Sequence, residues 1–123
     1  MTLAELYKAI GGDLDAALKV LRIEKLVNKH IRKLPDNEIF VSLSEAGRTM
    51  DPVMLFESAH AIKGVCANLG LVRMSETASE IADEFRPGSS RSFTDAEVKE
   101  RIDALEKMFA AAADEIRKYA AEG

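Results

Sequence analysis

The sequence has no tryptophan, only one cysteine and only three prolines among its 123 residues. A chain whose single cysteine is Cys66 cannot form an internal disulfide, which fits a reducing compartment and predicts a cytoplasmic location. No stretch approaches the roughly 18 apolar residues that a membrane-spanning helix needs. The amino terminus lacks the basic start and apolar run of a secretory signal. We therefore expect neither a membrane protein nor a disulfide-stabilised one.

Basic residues are outnumbered, with 17 Lys and Arg against 21 Asp and Glu, a net charge of −4. Because nucleic-acid-binding domains usually carry a basic face, we expect no nucleic-acid partner. The apolar fraction of 47% is ordinary for a globular chain of this length, which predicts one domain over residues 1–123. The starting Met1 and the complete first and last helical turns favour a free-standing protein over an excised domain.

Helix-forming residues dominate, and apolar residues recur every three or four positions. Narrow apolar stripes on consecutive helices favour closure into a bundle. We predict an all-α fold, an antiparallel up-down four-helix bundle with additional short N-terminal helices. The predicted bundle occupies residues 36–120, with helices over 37–48, 52–69, 71–86 and 94–120, and the short helices occupy residues 1–35. Asp51-Pro52, Gly70 and a Thr94/Glu97 capping box are the clearest boundary signals.

The predicted helix over 52–69 has one face that is unusual for a solvated surface. At about 100° per residue, a narrow core stripe forms, consisting of Leu55, Ala59, Ile62, Cys66 and Leu69. His60 lies about 140° from that stripe and is predicted to face outward. Its neighbours at helical spacing are Phe56, Glu57, Lys63 and Gly64, with Val53 and Ala67 farther along the same flank.

Three residue types on this outward face point to group transfer. A neutral imidazole is a competent nucleophile near pH 7, because the ordinary pKa of histidine is about 6.5. Lys63, one turn from His60, is placed to neutralise an anionic group that the imidazole accepts. Gly64 lies in mid-helix at a cost on the order of 1 kcal/mol, and its missing side chain leaves room for another protein. No strong base or metal cluster accompanies His60, so a partner is expected to supply the catalytic groups.

The residues Ala59-His60-Ala61-Ile62-Lys63-Gly64, followed by Asn68-Leu69-Gly70-Leu71, resemble the histidine-containing phosphotransfer (HPt) domain. The resemblance implies that His60 is phosphorylated, on Nε2, that Lys63 stabilises the phosphohistidine and that Gly64 permits docking. It also implies that Asn68 and Gly70 shape the end of the helix. The specific match spans about a dozen residues and the looser bundle pattern covers residues 37–120, which leaves the N-terminal helices outside it.

The resemblance also implies the partners. One kind of partner is the response-regulator receiver domain, which binds Mg²⁺ and whose aspartate donates or accepts the phosphoryl group. The other is a sensor histidine kinase or hybrid kinase. The chain has none of the glycine motifs of a kinase, so we expect a monomeric carrier that is no enzyme and has no cofactor or metal of its own. The predicted docking residues are Val53, Phe56, Glu57, Ala67 and Asn68.

Other interpretations remain open at this point. The same face suits a non-catalytic helical interaction module in which His60 is incidental. Glu57 and His60 have the Glu-x-x-His spacing of metal-binding bundles, although they point away from the predicted core. Gly64 also fits a packing contact between helices, and Phe56 a position folded over the bundle edge.

A third N-terminal helix is predicted to pack through one side that carries Ile23, Leu26, Val27, His30 and Leu34. On that side His30 is expected to be a buried or half-buried structural histidine. A second phosphorylation site and a metal ligand are the alternatives for His30, although no neighbouring ligand set accompanies it.

Overall fold

Helices account for all the regular structure of the computed structural model, which describes residues 1–123. The seven α-helices are α1 (Leu3–Ile10), α2 (Leu14–Leu21), α3 (Glu24–Lys33), α4 (Ile39–Thr49), α5 (Pro52–Asn68), α6 (Val72–Glu84) and α7 (Asp95–Ala121), with a short 3-10 helix at Leu34–Asp36. The predicted all-α class is confirmed. Each boundary of the four predicted bundle helices lies within two residues of its predicted position.

The boundaries of α5 follow from its capping residues. The Asp51 carboxylate accepts hydrogen bonds from the backbone N–H groups of Val53 and Met54, at 3.1 and 3.2 Å, and Pro52 occupies the first helical position. At the other end Gly70 adopts the left-handed conformation with φ +69°, and the N–H of Leu71 donates to the carbonyl of Cys66 at 2.9 Å. These contacts fix the first and last turns of α5.

Four helices close around the core. Helix α4 packs on α5, α5 on α6, α6 on α7, and α7 returns to α4. The short N-terminal helices join the same core, because α1, α3 and the 3-10 helix pack on α7 while α2 packs on α5. The up-down antiparallel course of the four bundle helices stays a prediction from their short connections.

The predicted packing side of α3 is confirmed for Val27 and Leu34 and wrong for Ile23, Leu26 and His30. Its buried residues are Val27 and Ile31, followed by Leu34 of the 3-10 helix, whereas Ile23 is 51% exposed and Leu26 is 36% exposed. The helix carries two overlapping apolar stripes, and periodicity does not indicate which of them meets the bundle. Helix α3 therefore leaves one apolar stripe without a partner in the fold.

Glu84 is a buried carboxylate that holds the connection between α6 and α7. It accepts hydrogen bonds from Arg91 Nε at 2.7 Å, from the Phe93 N–H at 2.8 Å and from Ser92 Oγ at 2.9 Å. Burial alone raises the pKa of Glu84, but these hydrogen bonds outweigh it and lower the pKa to about 2. The charged form of Glu84 therefore stabilises the folded state.

We expect Glu84→Gln to lower the free energy of unfolding at pH 7 by roughly 2–3 kcal/mol, because the charge-assisted hydrogen bonds weaken. A carboxylate with a lowered pKa stabilises the fold above its unfolded value of 4.5, and that stabilisation disappears as the pH falls toward about 2. Urea unfolding should therefore show a large difference between variant and wild type at pH 7 that shrinks toward pH 2.5. Asp83→Asn is the matched control, since its ion pair with Arg86 is exposed and contributes little. An equal deficit for Glu84→Gln at both pH values would contradict this.

Candidate functional site

The face of α5 opposite the core presents His60 to solvent. The predicted core stripe is confirmed, since Leu55, Ala59, Ile62 and Cys66 are fully buried and Leu69 is 3% exposed. Burial raises the pKa of the Cys66 thiol to about 12, which fits its interpretation as a small core residue. His60 is thus carried on a helix whose other side is fixed in the core.

An aromatic ring supports the imidazole. Phe56, one turn before His60, stacks on it with 5.4 Å between ring centroids and 19° between planes. Phe56 is half-buried and packs against the core, so its ring lies over the bundle edge and also faces His60. The Arg86 guanidinium carbon lies 5.5 Å from the Phe56 ring centroid. This arrangement restricts the orientation of the imidazole.

Two cations flank the site, of which sequence reasoning found one. Lys63 is half-buried on α5, one turn after His60. Arg86, just after α6, forms a 2.9 Å ion pair with Asp83. The hydrogen bond from Arg86 lowers the pKa of Asp83, and the charges of Arg86 and Lys63 act in the same direction. Sequence analysis placed Arg86 at the end of the predicted helix over 71–86 and did not connect it with His60, because only the packing of α6 on α5 brings Arg86 to the Phe56 ring.

Gly64 leaves the surface beside His60 open. The glycine is exposed, and a Cβ added there would meet no atom within 4 Å. The alternative that Gly64 provides a packing contact between helices is therefore wrong. Its effect is confined to the outer surface, where any added side chain would project beside the imidazole.

The predicted docking residues other than Phe56 are exposed along the same helix. Val53 is 63% exposed, and Glu57, Ala67 and Asn68 are also exposed. Glu57 and His60 point away from the core, and no group of three or more His, Cys, Asp or Glu side chains is arranged to hold a metal ion. Nothing in the geometry favours the metal-binding bundle.

The N-terminal helices hold the carboxyl-terminal end of α5, which sequence reasoning did not foresee. The buried Tyr7 donates its hydroxyl hydrogen to the carbonyl of Leu69 at 2.7 Å. The N–H of Asp13 donates to the carbonyl of Gly70 at 2.8 Å. On the other side, Ser75 Oγ donates to the carbonyl of Lys63 at 3.2 Å. These contacts position the helix that carries His60.

The prediction that His30 is buried was wrong, because the residue is exposed on α3. The physical reason is that His30 lies on the exposed stripe of α3, with Ile23 and Leu26. It does not lie on the buried stripe, which carries Val27 and Ile31. His30 borders a groove of about 300 Å³ together with Lys33, Asn37, Val65 and Asn68 and the apolar side chains of Leu21, Leu34 and Leu69.

The family model described as the Hpt domain matches residues 3–115. No curated protein and no solved structure matches the chain. None of the helices is long and apolar enough to cross a bilayer. The family match begins at α1 and therefore includes the N-terminal helices, which the resemblance of the His60 motif had left undetermined. Since the match covers most of the chain and includes the helix that presents His60, this protein belongs to the Hpt domain family, whose members serve histidine phosphotransfer in phosphorelays.

Proposed function

We propose that this chain carries a phosphoryl group on His60 between the aspartates of receiver domains, or receives it from a sensor or hybrid histidine kinase. The observation that supports this most directly is the open surface around His60. The imidazole is exposed, Gly64 leaves its flank uncovered, and Lys63 lies one turn away. An accepting group that serves two partners in turn has to be reachable by each of them.

The transfer step uses the imidazole as nucleophile. Nε2 of His60 attacks the phosphorus of an aspartyl phosphate, an N–P bond forms, and the P–O bond to the aspartate breaks and returns its electron pair to the carboxylate. The Phe56 stack keeps the ring oriented during the attack. The Lys63 ammonium offsets the negative charge of the phosphoryl oxygens. The reverse sequence passes the group to the next aspartate.

The remaining chemistry is assigned to the partner. We propose that the receiver domain supplies Mg²⁺ together with its own aspartate, and that this chain acts as a carrier and not as an enzyme. We assign phosphoryl transfer to His60, Lys63 and Gly64. The docking face of α5 consists of Val53, Phe56, Glu57, Ala67 and Asn68. The proposal includes a monomeric, cytoplasmic, single-domain protein whose four bundle helices run up and down.

Gly64→Gln separates docking from folding. Glutamine is a better helix former than glycine, so we expect the variant to gain about 0.5 kcal/mol in free energy of unfolding. Its side chain would project beside His60 and displace an incoming active site, which should slow phosphoryl transfer about 100-fold. Gly64→Ala is the control, with a similar gain in stability and most of the transfer rate retained. The measurements are urea unfolding and the rate of labelling by a phosphorylated receiver domain. An unchanged rate of phosphoryl transfer in Gly64→Gln would show that Gly64 has no role in docking.

A further inference from the structure

Asp83 is an exposed carboxylate at a position that disfavours negative charge. It lies in the last turn of α6, where the carboxyl-terminal end of the helix carries partial negative charge. The other acidic residue of that turn, Glu84, is explained by its hydrogen bonds to the connection between α6 and α7. Asp83 has no such structural task, because its ion pair with Arg86 is exposed and contributes little to stability. Its presence in this turn therefore suggests another role.

Asp83 interacts with both cations that flank His60. Its carboxylate oxygen Oδ1 lies 2.9 Å from Nη2 of Arg86. The hydrogen bond from Arg86 lowers the pKa of Asp83, and the charge of Lys63 adds to that effect from the neighbouring helix α5. A change in the charge of Asp83 is therefore felt by both cations.

Arg86 is within reach of a phosphoryl group on His60. Its guanidinium carbon lies 5.5 Å from the centroid of the Phe56 ring, and that centroid lies 5.4 Å from the centroid of the His60 ring, so the guanidinium carbon is at most about 11 Å from the imidazole. The Arg86 side chain is 44% exposed, and a change of rotamer can turn it toward the imidazole. A guanidinium pairs with phosphoryl oxygens through two parallel hydrogen bonds, as it does with a carboxylate.

The phosphoryl group and Asp83 therefore compete for the same cations. Before transfer, the Asp83 carboxylate partly neutralises Arg86 and Lys63. After transfer, a phosphoryl group on His60 adds roughly two negative charges and three acceptor oxygens beside them. The carboxylate then both occupies a cation and repels the phosphoryl group. Since a carrier has to release its group as well as accept it, a competing anion at this position favours release.

We propose that Asp83 is a positioning residue that competes with the phosphoryl group for Arg86 and Lys63, and thereby sets the equilibrium of phosphoryl transfer between His60 and the aspartate of a receiver domain. This inference rests on the proposed function. It assigns part of the control over the direction of transfer to the carrier itself.

The first test measures the transfer equilibrium in Asp83→Asn. We expect the variant to shift the equilibrium about fivefold toward the phosphorylated chain, and the shift to shrink at high salt because the groups are exposed. Glu80→Gln is the matched control, since Glu80 lies on the same helix, is 53% exposed and is paired with Arg101 at 3.3 Å. It should leave the equilibrium as in the wild type. The measurement is the distribution of label between chain and receiver domain after equilibration, which compares the free proteins and does not depend on how tightly they dock.

The second test asks whether Asp83 acts through Arg86. Arg86→Gln should shift the equilibrium about threefold toward the phosphorylated receiver domain, because one cation is lost. In the Arg86→Gln background, Asp83→Asn should shift the equilibrium only about twofold, since Lys63 and direct repulsion alone remain. Asp83→Glu keeps the charge and should restore most of the wild-type equilibrium. Unfolding curves verify that these exposed substitutions leave the fold intact.

Two results would overturn the inference and leave the proposed function standing. One is an equilibrium in Asp83→Asn equal to that in Glu80→Gln. The other is a shift by Asp83→Asn that is as large in the Arg86→Gln background as in the wild type, which would mean that Asp83 does not compete for Arg86. A wild-type chain that takes no label on His60 from phosphorylated receiver domains would overturn the proposed function, and the inference with it.

Discussion

His60→Gln is expected to take up no phosphoryl label from a phosphorylated receiver domain, whereas His30→Gln is expected to take up as much label as the wild type. The chain has only two histidines, and both are exposed, so accessibility does not distinguish them. What distinguishes them is the surroundings. His60 has Lys63 one turn away, the Phe56 ring against its imidazole and the open surface at Gly64. The measurement is label retained after alkali and lost after acid.

Persistent labelling of His60→Gln would show that the proposed acceptor is wrong. A wild-type chain that binds receiver domains and is never labelled by one would instead favour the non-catalytic interaction module. Glutamine keeps the size and polarity of the histidine and is a better helix former, so loss of label in His60→Gln is not expected to reflect unfolding. An unfolding curve of the variant checks this directly.

Gly70→Ala is expected to lower the free energy of unfolding by roughly 3–4 kcal/mol, whereas Gly11→Ala should lower it by about 1 kcal/mol. Both glycines have φ of +69°, so both alanine variants bear the same left-handed strain. A Cβ at Gly11 would meet nothing within 4 Å, but a Cβ at Gly70 would overlap the carbonyl oxygen of Asp13. The difference between the two variants therefore measures the close approach of the N-terminal segment to the end of α5.

Urea unfolding of the two variants and the wild type provides the comparison. Equal destabilisation by both substitutions would mean that only the backbone conformation matters at Gly70. A larger loss at Gly70 supports the assignment of Asp13 as a contact that holds the carboxyl-terminal end of α5. In that case the rate of phosphoryl transfer to His60 should fall by a smaller factor than the folding equilibrium constant does, because His60 lies more than two turns from Gly70.

The α5 helix was predictable because several local signals agree there. A capping aspartate, a proline at the first position, a single apolar stripe and a terminal glycine all specify the same helix and the same outward face for His60. The position of Lys63 and Gly64 beside the imidazole follows from helical spacing alone. Capping and periodicity are properties of neighbouring residues, and the sequence displays them directly.

The α3 phase and the supporting contacts of the site depend on tertiary packing. Helix α3 has two apolar stripes, and its tertiary contacts with α2, α7 and the 3-10 helix determine that Val27 and Ile31 are buried. The Tyr7 hydroxyl reaches Leu69, 62 residues away, a pairing that no local pattern indicates. Arg86 belongs to the site only because α6 packs on α5.

The most direct measurement of the central claim locates the phosphoryl group in the wild-type chain. After incubation with a phosphorylated receiver domain, the protein is kept at alkaline pH, and the modified side chain is assigned by fragment mass spectrometry and by nitrogen-detected NMR of the histidine rings. We predict a single phosphoryl group on Nε2 of His60, stable to alkali and lost in acid. A group on His30, or an acid-stable group on a serine or threonine, would contradict the claim.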